Sequence, residues 1–340
     1  MNTREGRPRI GITMGDPGGI GAEVAVKAHA GLCNRAIPFV IGDANVVAKA
    51  VECCDVELVV QVVDEVEAVD ADPTRVRVLD LANVENHEWG ELRAAFGRAS
   101  LAYIERAIGL AMDGRIDAMV TAPINKQATA MAGSEFAGHT GMLADRTETT
   151  EYAMLLIEEP LRVSHVSTHV SLREACDLVT TERVFETVNL TASAVANLDV
   201  RDPQIAVAGL NPHASDGGVM GDTEAETIGP AIELGREAGI DVVGPVPPDT
   251  VFVRAADGEY DAVVAMYHDQ GHIPVKLLGF SNDGAVSGVN VTIGLPIVRT
   301  SVDHGTAFDI AGRGIASELS LIQAVDVAAQ LAEARGVTAA

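Results

Sequence analysis

The sequence predicts an α/β fold made of two α/β/α layers that face each other across a central cleft. Short β-branched runs alternate with helical periods from residue 10 to about residue 334. Strands that alternate with helices of this length favour a sheet covered by helices on both faces. No linker rich in Ser or Pro interrupts the alternation, and 340 residues are enough for two lobes with buried cores.

The individual elements follow from the spacing of apolar residues. Runs of β-branched and aliphatic residues predict strands, and apolar residues that recur every three or four positions predict helices. Strands are expected at residues 9–14, 38–41, 75–79, 118–121, 154–157, 161–166, 205–210, 262–266 and 289–293. Helices are expected at residues 22–30, 91–112, 181–196, 223–238 and 316–334. The continuously apolar runs at 161–166, 205–210 and 262–266 favour buried strands of a parallel sheet.

The charge balance restricts the class of partner. The chain carries 24 basic and 49 acidic residues, which give a net charge of -25. A surface this acidic repels nucleic acid and anionic membranes, and neither is expected as a partner. We interpret the acidic surplus as adaptation to a salt-rich cytoplasm in a halophilic source, because strong screening there offsets the self-repulsion.

Two further features predict a cytoplasmic location. The amino-terminal residues contain no apolar signal core, and no stretch reaches the roughly 18 apolar residues of a membrane span. The cysteines at positions 33, 53, 54 and 176 show neither a CxxC motif nor the spacing of a disulfide framework. Reduced thiols are therefore expected.

Three histidines stand just beyond predicted strands, far apart along the chain. His169 ends the sequence VSTH, His213 ends GLNPH, and His268 lies in MYHDQ. In open α/β sheets, ligands collect beyond the carboxyl ends of the strands. Neutral imidazoles are good ligands for Zn, Co, Ni or Mn, so the pattern indicates a catalytic metal site. The alternative for each histidine taken singly is a hydrogen-bonded loop residue.

Two loops have the composition of an anion site. Residues 15–21, GDPGGIG, follow the first strand and could present backbone N–H groups to a phosphate, although a tight turn without a ligand needs the same glycines. In the second loop, His139 and Thr140 adjoin within GHTG, and both could donate to a phosphate. Capping of the following helix is the alternative for Thr140.

Lys276 and Arg299 are the candidates for gripping a doubly charged group, one as a point charge and the other as a planar fork. Lysine occurs only at positions 27, 49, 126 and 276. Lys276 stands between Val275 and Leu277 and is therefore unlike a solubilising surface charge. The alternative is an apolar stem with its ammonium group in water.

The order and spacing of these motifs resemble the 4-hydroxythreonine-4-phosphate dehydrogenase family, including its branch that acts on 4-phospho-D-threonate and 4-phospho-D-erythronate. The resemblance runs nearly end to end and rests on residues 15–21 with Glu23, 121–126, 138–140, His169, 209–213, 248–250, 267–271, 288–290 and 299–314. It implies a homodimer of two-lobed α/β/α subunits with a shared active site. The implied fold is like that of isocitrate and isopropylmalate dehydrogenases and is not a Rossmann domain. The approximate lobes are residues 1–130 with 280–340, and residues 131–279.

The resemblance also implies roles for individual residues. One divalent metal (Zn, Co, Mn or Mg) would be bound by His169, His213 and His268, with ligands drawn from both subunits. The phosphorylated hydroxy acid would be held by His139, Thr140, Lys276, Asn290 and Arg299. NAD, or alternatively NADP, would lie along a segment like the adenosine-side loop of isopropylmalate dehydrogenases, at His304, Gly305, Thr306, Ala307 and Asp309. Proton transfer or orientation of metal-bound histidines would fall to Lys276, Asp249 and Asp269.

The implied reaction is oxidation of a 4-phosphorylated 3-hydroxy four-carbon acid to the 3-keto acid, with decarboxylation. Two departures from the family pattern leave the acid open: a longer link at residues 280–289, and Gly141 in place of a glutamate. A salt-adapted archaeal source would favour D-threonate catabolism over pyridoxine biosynthesis. The alternatives are a cis-dihydrodiol carboxylate dehydrogenase of the same family, a metal-dependent hydrolase, and a non-catalytic binder of phosphorylated metabolites.

Overall fold

The structure, a computed structural model, describes residues 6–136, 138–279 and 287–338. The chain forms two compact units: the first holds residues 1–150, 285–289 and 295–340, and the second holds residues 151–284 and 290–294. Both units mix strands and helices, so the α/β class is confirmed.

Within the described residues, the predicted lobes differ from these units in two places. Residues 290–294 were expected in the first lobe but belong to the second unit. Residues 131–150 were expected in the second lobe but belong to the first unit. The helix at His139–Arg146 packs there on the long helix at Ala94–Met112, and Arg146 Nε donates a hydrogen bond to Glu105 Oε1 at 2.8 Å.

The described residues contain twelve strands and eleven α-helices. The strands are β1 Arg9–Thr13, β2 Ile37–Gly42, β3 Val59–Val63, β4 Arg75–Asp80, β5 Ala118–Thr121, β6 Ala153–Glu158, β7 Leu161–His165, β8 Ile205–Ala208, β9 Val242–Val246, β10 Ala262–Ala265, β11 Val289–Ile293 and β12 Arg299–Val302. The helices are α1 Gly21–Leu32, α2 Ala44–Cys53, α3 Ala94–Met112, α4 Lys126–Met131, α5 His139–Arg146, α6 Leu172–Asp177, α7 Thr181–Ala196, α8 Gly229–Glu237, α9 Val251–Ala256, α10 His268–Gly279 and α11 Leu319–Thr338. Short 3-10 segments lie at Val66–Ala68 and Pro212–Asp216, and a π-helical turn lies at Glu224–Ile228.

The first unit contains a fully parallel sheet. Its strand order is β3-β4-β2-β1-β5-β12, and every neighbouring pair runs in the same direction. This order differs from that of a Rossmann domain. Helix α3 packs closely on α4, because Gly97 brings the two backbones together: a Cβ at Gly97 would lie 2.1 Å from the carbonyl oxygen of Ala128.

The sheet of the second unit is mostly parallel. Its order is β11-β6-β7-β10-β8-β9. Strands β7, β10, β8 and β9 are parallel, as the apolar runs predicted, whereas β6 is antiparallel to β7. A connection of two residues joins β6 to β7, and so short a link is possible only between antiparallel strands.

Helices cover both faces of the second unit's sheet. Side chains alternate along a strand, so Ile205 and Val207 of β8 enter one core while Ala206 and Ala208 enter another. Helices α7 and α8 complete the first core, and α9 and α10 complete the second. The described helices include none with the length and apolar character needed to cross a bilayer.

Candidate active site

Four histidines of the second unit lie side by side where β7 and β10 end. His165 is the last residue of β7, His268 is the first residue of α10, and His272 lies one turn further along that helix. The rings of His268 and His272 stack with centroids 3.5 Å apart, and the ring of His169 lies 5.7 Å from that of His268. His169 and His268 were predicted from the sequence, whereas His165 and His272 were not, although each stands four positions from a predicted histidine.

Burial keeps the inner members of this cluster neutral. It lowers the pKa of His165 to about 3 and that of His272 to about 4, and the neighbouring imidazoles add to both shifts. The neutral imidazole is the form that ligates a metal. His268 Nδ1 lies 2.6 Å from Asp269 Oδ1, an arrangement in which a carboxylate orients a metal-binding ring.

A cavity of about 240 Å³ opens beside these rings. It is lined by residues 167–170, Leu172, Ala175 and residues 267–269. His169, His268 and Asp269 therefore share one pocket, and a small polar ligand placed in it would meet two imidazoles and a carboxylate.

His213 is presented by an unusual turn after β8. Residues 213–216 all have positive φ, with values of 53°, 52°, 68° and 46°, although none is glycine. The left-handed region is costly for such residues and persists only where surrounding contacts enforce it. His213 Nδ1 lies 3.7 Å from Asp249 Oδ2, and both side chains are exposed.

Glu224 enforces that turn. Its carboxylate is 4% exposed and accepts hydrogen bonds from the Asn211 backbone N–H at 2.7 Å and from Asn211 Nδ2 at 3.0 Å. It also accepts one from Ser215 Oγ. The two ends of the turn are thus tied to one buried anion. Glu224 was not predicted from the sequence, because only the folded turn shows which groups its carboxylate binds.

Gln270 connects the two strand ends that carry His213 and His268. Its Nε2 donates to the Gly209 carbonyl at 2.8 Å, and its Oε1 accepts from the Met266 N–H at 2.7 Å. The loop after β8 and the start of α10 are therefore fixed relative to each other.

The three predicted metal ligands do not converge on one point. Within the described ranges, the ring nitrogens of His169, His213 and His268 do not all lie within 4.8 Å of one another. A site that takes ligands from two subunits, as the resemblance implies, would not require one chain to gather all three. The three-histidine metal site stays a prediction.

A second polar cluster lies in the first unit, where β5 and β12 adjoin. Arg299 is 2% exposed, and its Nη2 donates to Thr121 Oγ1 at 2.7 Å. Burial lowers the pKa of Arg299 to about 9, so the guanidinium remains charged at neutral pH. Burial, followed by the charges of Arg299 and Lys126, lowers the pKa of His139 well below its usual value. His139 Nε2 is inaccessible and makes no hydrogen bond to the described residues.

The other predicted substrate residues occupy regular elements. Thr140 is the second residue of α5, and the N-cap is Gly138, so the capping interpretation of Thr140 is wrong. Lys276 is half-buried on α10 one turn beyond His272, and its charge contributes to the low pKa of that imidazole. Asn290 lies on β11, where its Oδ1 is inaccessible and has no hydrogen bond within the described ranges.

The glycine-rich loop at residues 15–21 packs tightly against neighbouring backbone and side chains. A Cβ at Gly19 would lie 3.0 Å from Thr306 Cβ, and the Ile20 N–H donates to the Thr306 carbonyl at 3.1 Å. Gly15 has φ +73°, and a Cβ there would meet the Pro123 carbonyl at 2.3 Å. These contacts favour the turn interpretation of the glycines over phosphate binding.

The predicted cofactor residues form one continuous segment after β12. They are His304, Gly305, Thr306, Ala307 and Asp309, of which Gly305 and Asp309 are exposed. The segment ends in a turn held by Glu23, whose carboxylate accepts from the backbone N–H groups of Gly312 at 2.5 Å and Gly314 at 2.9 Å.

Of the two departures from the family pattern, residues 280–286 of the longer link lie outside the described residues. Gly141 is exposed on α5, and a Cβ there would meet only Phe136 Cδ1, at 3.6 Å. The position has room for a larger side chain, so the structure does not require glycine there.

The class of enzyme follows from known proteins that are similar to this chain. The 4-hydroxythreonine-4-phosphate dehydrogenase of Desulfosudis oleivorans is 48% identical over 337 residues, which cover 97% of this chain and 98% of that protein. The D-threonate 4-phosphate dehydrogenase of Cupriavidus necator is 45% identical over 332 residues, which cover 96% and 98%. The chain is a dehydrogenase, an oxidoreductase that acts on a CH–OH group.

The family follows from a second comparison. The sequence profile described as pyridoxal phosphate biosynthetic protein PdxA matches residues 34–328, and the chain belongs to this family. A crystal structure of the 4-hydroxythreonine-4-phosphate dehydrogenase of Klebsiella pneumoniae is 40% identical, covers 98% of this chain and 100% of its own, and superposes with a TM-score of 0.86. The resemblance inferred from the motifs is thereby confirmed.

Proposed function

We propose that this dehydrogenase oxidises the 3-hydroxyl of a 4-phosphorylated four-carbon hydroxy acid with NAD, or alternatively NADP, and decarboxylates the resulting 3-keto acid. The substrate would be 4-hydroxythreonine 4-phosphate, 4-phospho-D-threonate or 4-phospho-D-erythronate. The observation that carries the proposal is the buried guanidinium of Arg299, with the neutral imidazole of His139 near it. In a dehydrogenase whose relatives are named for phosphorylated substrates, a buried cation of this kind suits a phosphate dianion.

Phosphate binding would fall to the residues around Arg299. The guanidinium is oriented by Thr121 and can present a planar fork to two phosphate oxygens. His139 and Thr140, at the start of α5, would add neutral donors, which do not repel the nearby cations. We assign Lys276 and Asn290 to the same substrate. Lys276 would contribute a positive charge. Asn290 would contribute its side-chain amide, whose oxygen has no hydrogen bond within the described ranges.

Two members of the histidine cluster, together with His213 of the turn after β8, offer the imidazoles that a divalent metal needs. His169, His213 and His268 would hold the ion, and Asp269 and Asp249 lie next to two of these rings, as orienting carboxylates do. A bound Zn, Co, Mn or Mg ion would lower the pKa of the substrate hydroxyl and stabilise negative charge on its oxygen.

The proposed reaction has two steps, a two-electron oxidation and a decarboxylation. A bound nicotinamide would accept the hydride from C3, and loss of the hydroxyl proton would give the 3-keto acid. The C1–C2 bond then breaks with release of CO2, and the electron pair remains as an enolate. We assign Lys276 as the donor that protonates C2, with Asp249 or Asp269 as the proton carriers for the first step. The cofactor would lie along residues 304–309.

We also infer that the active form is a homodimer with a shared active site, working in a salt-rich cytoplasm. A net charge of -25 makes neighbouring subunits repel at low ionic strength. Activity should therefore be measured in high potassium chloride, where this repulsion is screened.

The test is NAD reduction in high potassium chloride with each of the three four-carbon acid phosphates, in the presence of Zn, Co, Mn or Mg. We expect turnover of at least one acid and dependence on an added metal. Turnover of a cis-dihydrodiol carboxylate alone would replace this proposal with the diol reaction. Hydrolysis without NADH formation would indicate the hydrolase, and binding without turnover the non-catalytic binder.

The phosphate assignment is tested by Arg299→Lys, which keeps the charge and removes the fork. We expect KM for the phosphorylated acid to rise about tenfold or more, since a bidentate contact becomes a single one. Arg98→Lys, at an exposed position of α3, is the matched control and should leave KM unchanged. An unchanged KM in Arg299→Lys would contradict the phosphate assignment.

The metal assignment is tested by His213→Ala. The variant should lose bound metal and turnover together. Retention of both would remove His213 from the metal site.

A further inference from the structure

The first unit contains a separate cluster of potential metal ligands. Glu23 of α1 and the adjacent Cys53 and Cys54 at the end of α2 place one ligand atom each within 4.8 Å of the others. The two sulfur atoms are 4.0 Å apart. Both cysteines are half-buried, and Glu23 is fully buried.

The carboxylate of Glu23 has only neutral partners. Its hydrogen bonds come from the backbone N–H groups of Gly312 and Gly314, and no Lys, Arg or His of the described residues forms an ion pair with it. Lys27, one turn further along α1, is a charged neighbour of Cys54, but its ion pair is with Glu318 at 3.1 Å. A buried carboxylate surrounded by neutral groups is costly, and a cation bound beside Glu23 would offset that cost.

The separation of the sulfur atoms fits a shared ion better than a disulfide. Two thiolates on a tetrahedral zinc, each about 2.3 Å from the metal, stand about 3.8 Å apart, close to the 4.0 Å between Cys53 and Cys54. A disulfide would need the sulfurs about 2.05 Å apart and Cα atoms at least about 4.4 Å apart. Neighbouring Cα atoms across a trans peptide are only about 3.8 Å apart.

We propose that Glu23, Cys53 and Cys54 bind a soft divalent cation of the Zn²⁺ or Cd²⁺ kind, at a site independent of the histidine cluster. Two thiolates and one carboxylate leave a fourth, tetrahedral position for water. This site goes beyond the proposed dehydrogenase function and does not depend on it.

The ion would lie directly under the turn that ends the predicted cofactor segment. Glu23 holds that turn, and a Cβ at Gly314 would lie 2.4 Å from the Cys53 carbonyl oxygen. A bound cation would therefore stabilise the turn through Glu23. Burial raises the pKa of both thiols, that of Cys54 to about 12, so binding displaces protons and strengthens as the pH rises.

The experiment is a Cd²⁺ titration of the full-length protein, followed by the ultraviolet charge-transfer absorbance of thiolate bound to the metal. Histidine and carboxylate ligands give no such band, so a metal in the histidine cluster does not interfere. We expect the band to saturate at about one equivalent per chain. Cys53→Ser and Cys54→Ser should each weaken this binding about tenfold or more, whereas Cys176→Ser, which removes an exposed thiol of the second unit, should not.

A second measurement uses the unaltered chain, so its outcome does not depend on how the variants fold. At alkaline pH, Cd²⁺ should slow the alkylation of Cys53 and Cys54 by iodoacetamide relative to the metal-free chain, and should leave that of Cys176 unchanged. The absence of the band from the unaltered chain, its persistence in both serine variants, or alkylation of Cys53 and Cys54 that is the same with and without Cd²⁺ would overturn the proposal. None of these readouts requires turnover, so a failure of the dehydrogenase assignment would leave them unchanged.

Discussion

Replacing Asp16 by asparagine should stabilise the protein, and more so at alkaline pH. Asp16 is 1% exposed, and burial raises its pKa from 3.8 to about 6, although the Gly18 backbone N–H donates to its Oδ1 at 2.9 Å. A carboxyl whose folded pKa is raised opposes folding once it is ionised. At pH 8 the difference between the two pKa values corresponds to about 3 kcal/mol of lost stability, and at pH 5 to about 1.5 kcal/mol. Asp16→Asn keeps an oxygen for the Gly18 N–H and removes the charge.

The assay is urea unfolding, followed by circular dichroism at pH 8 and pH 5. The gain in unfolding free energy from Asp16→Asn should be about 2–3 kcal/mol at pH 8 and roughly half of that at pH 5. Asp64→Asn, an exposed position in the same unit, removes the same charge and controls for the general repulsion of an acidic chain. No gain at pH 8, or a gain that does not shrink at pH 5, would refute burial as the cause of the raised pKa.

Two further predictions concern packing and the His213 turn. Gly97→Ala should destabilise the protein by about 1–3 kcal/mol in thermal unfolding, because the new Cβ would lie 2.1 Å from the Ala128 oxygen. Gly109→Ala, in the same helix with nothing within 4 Å, should stabilise it by about 0.5–1 kcal/mol. Glu224→Gln places an amide NH2 group opposite donors that the carboxylate now accepts from. The free energy of unfolding should therefore fall by about 1–3 kcal/mol. Co²⁺ binding at the proposed His213 site should weaken about tenfold or more. A folded Glu224→Gln protein with unchanged Co²⁺ affinity would show that the turn does not position His213.

Most of the buried strands could be predicted from the sequence, and the exposed, polar or interrupted ones could not. All the predicted strands are present, because buried runs leave a clear pattern. Strand β3 was not predicted, since it lies at the edge of its sheet and most of its residues are exposed. Strand β9 was not predicted either, because Gly244 and Pro245 interrupt its apolar run. Strand β12 reads as polar, with Arg299 and Ser301 in it, yet it is wholly buried. The partner that allows this burial, Thr121, is 178 positions away from Arg299 and leaves no local signal.

Some residues of the candidate site could likewise be predicted from the sequence, and others could not. His268 and Lys276 were selected as neighbours of polar, glycine-rich sequence, and the structure places both on one helix, while their roles stay predictions. His272 was overlooked because a histidine next to Pro274 and Ile273 does not suggest a helix face. Glu224 could not be identified at all, since its role depends on a left-handed turn that the residue types do not predict.

Helix α10 carries residues of two proposed roles, metal binding and protonation. His268, His272 and Lys276 stand at intervals of four, which places them along one side of the helix, with about 12 Å of axial rise between the first and the last. Pro274 lies between His272 and Lys276 and removes one backbone hydrogen bond of the helix. The helix packs closely on β7 at Gly271, where a Cβ would lie 2.4 Å from His165 Nε2. A substitution at Gly271 that displaces α10 should lower metal affinity and the rate of the protonation step together.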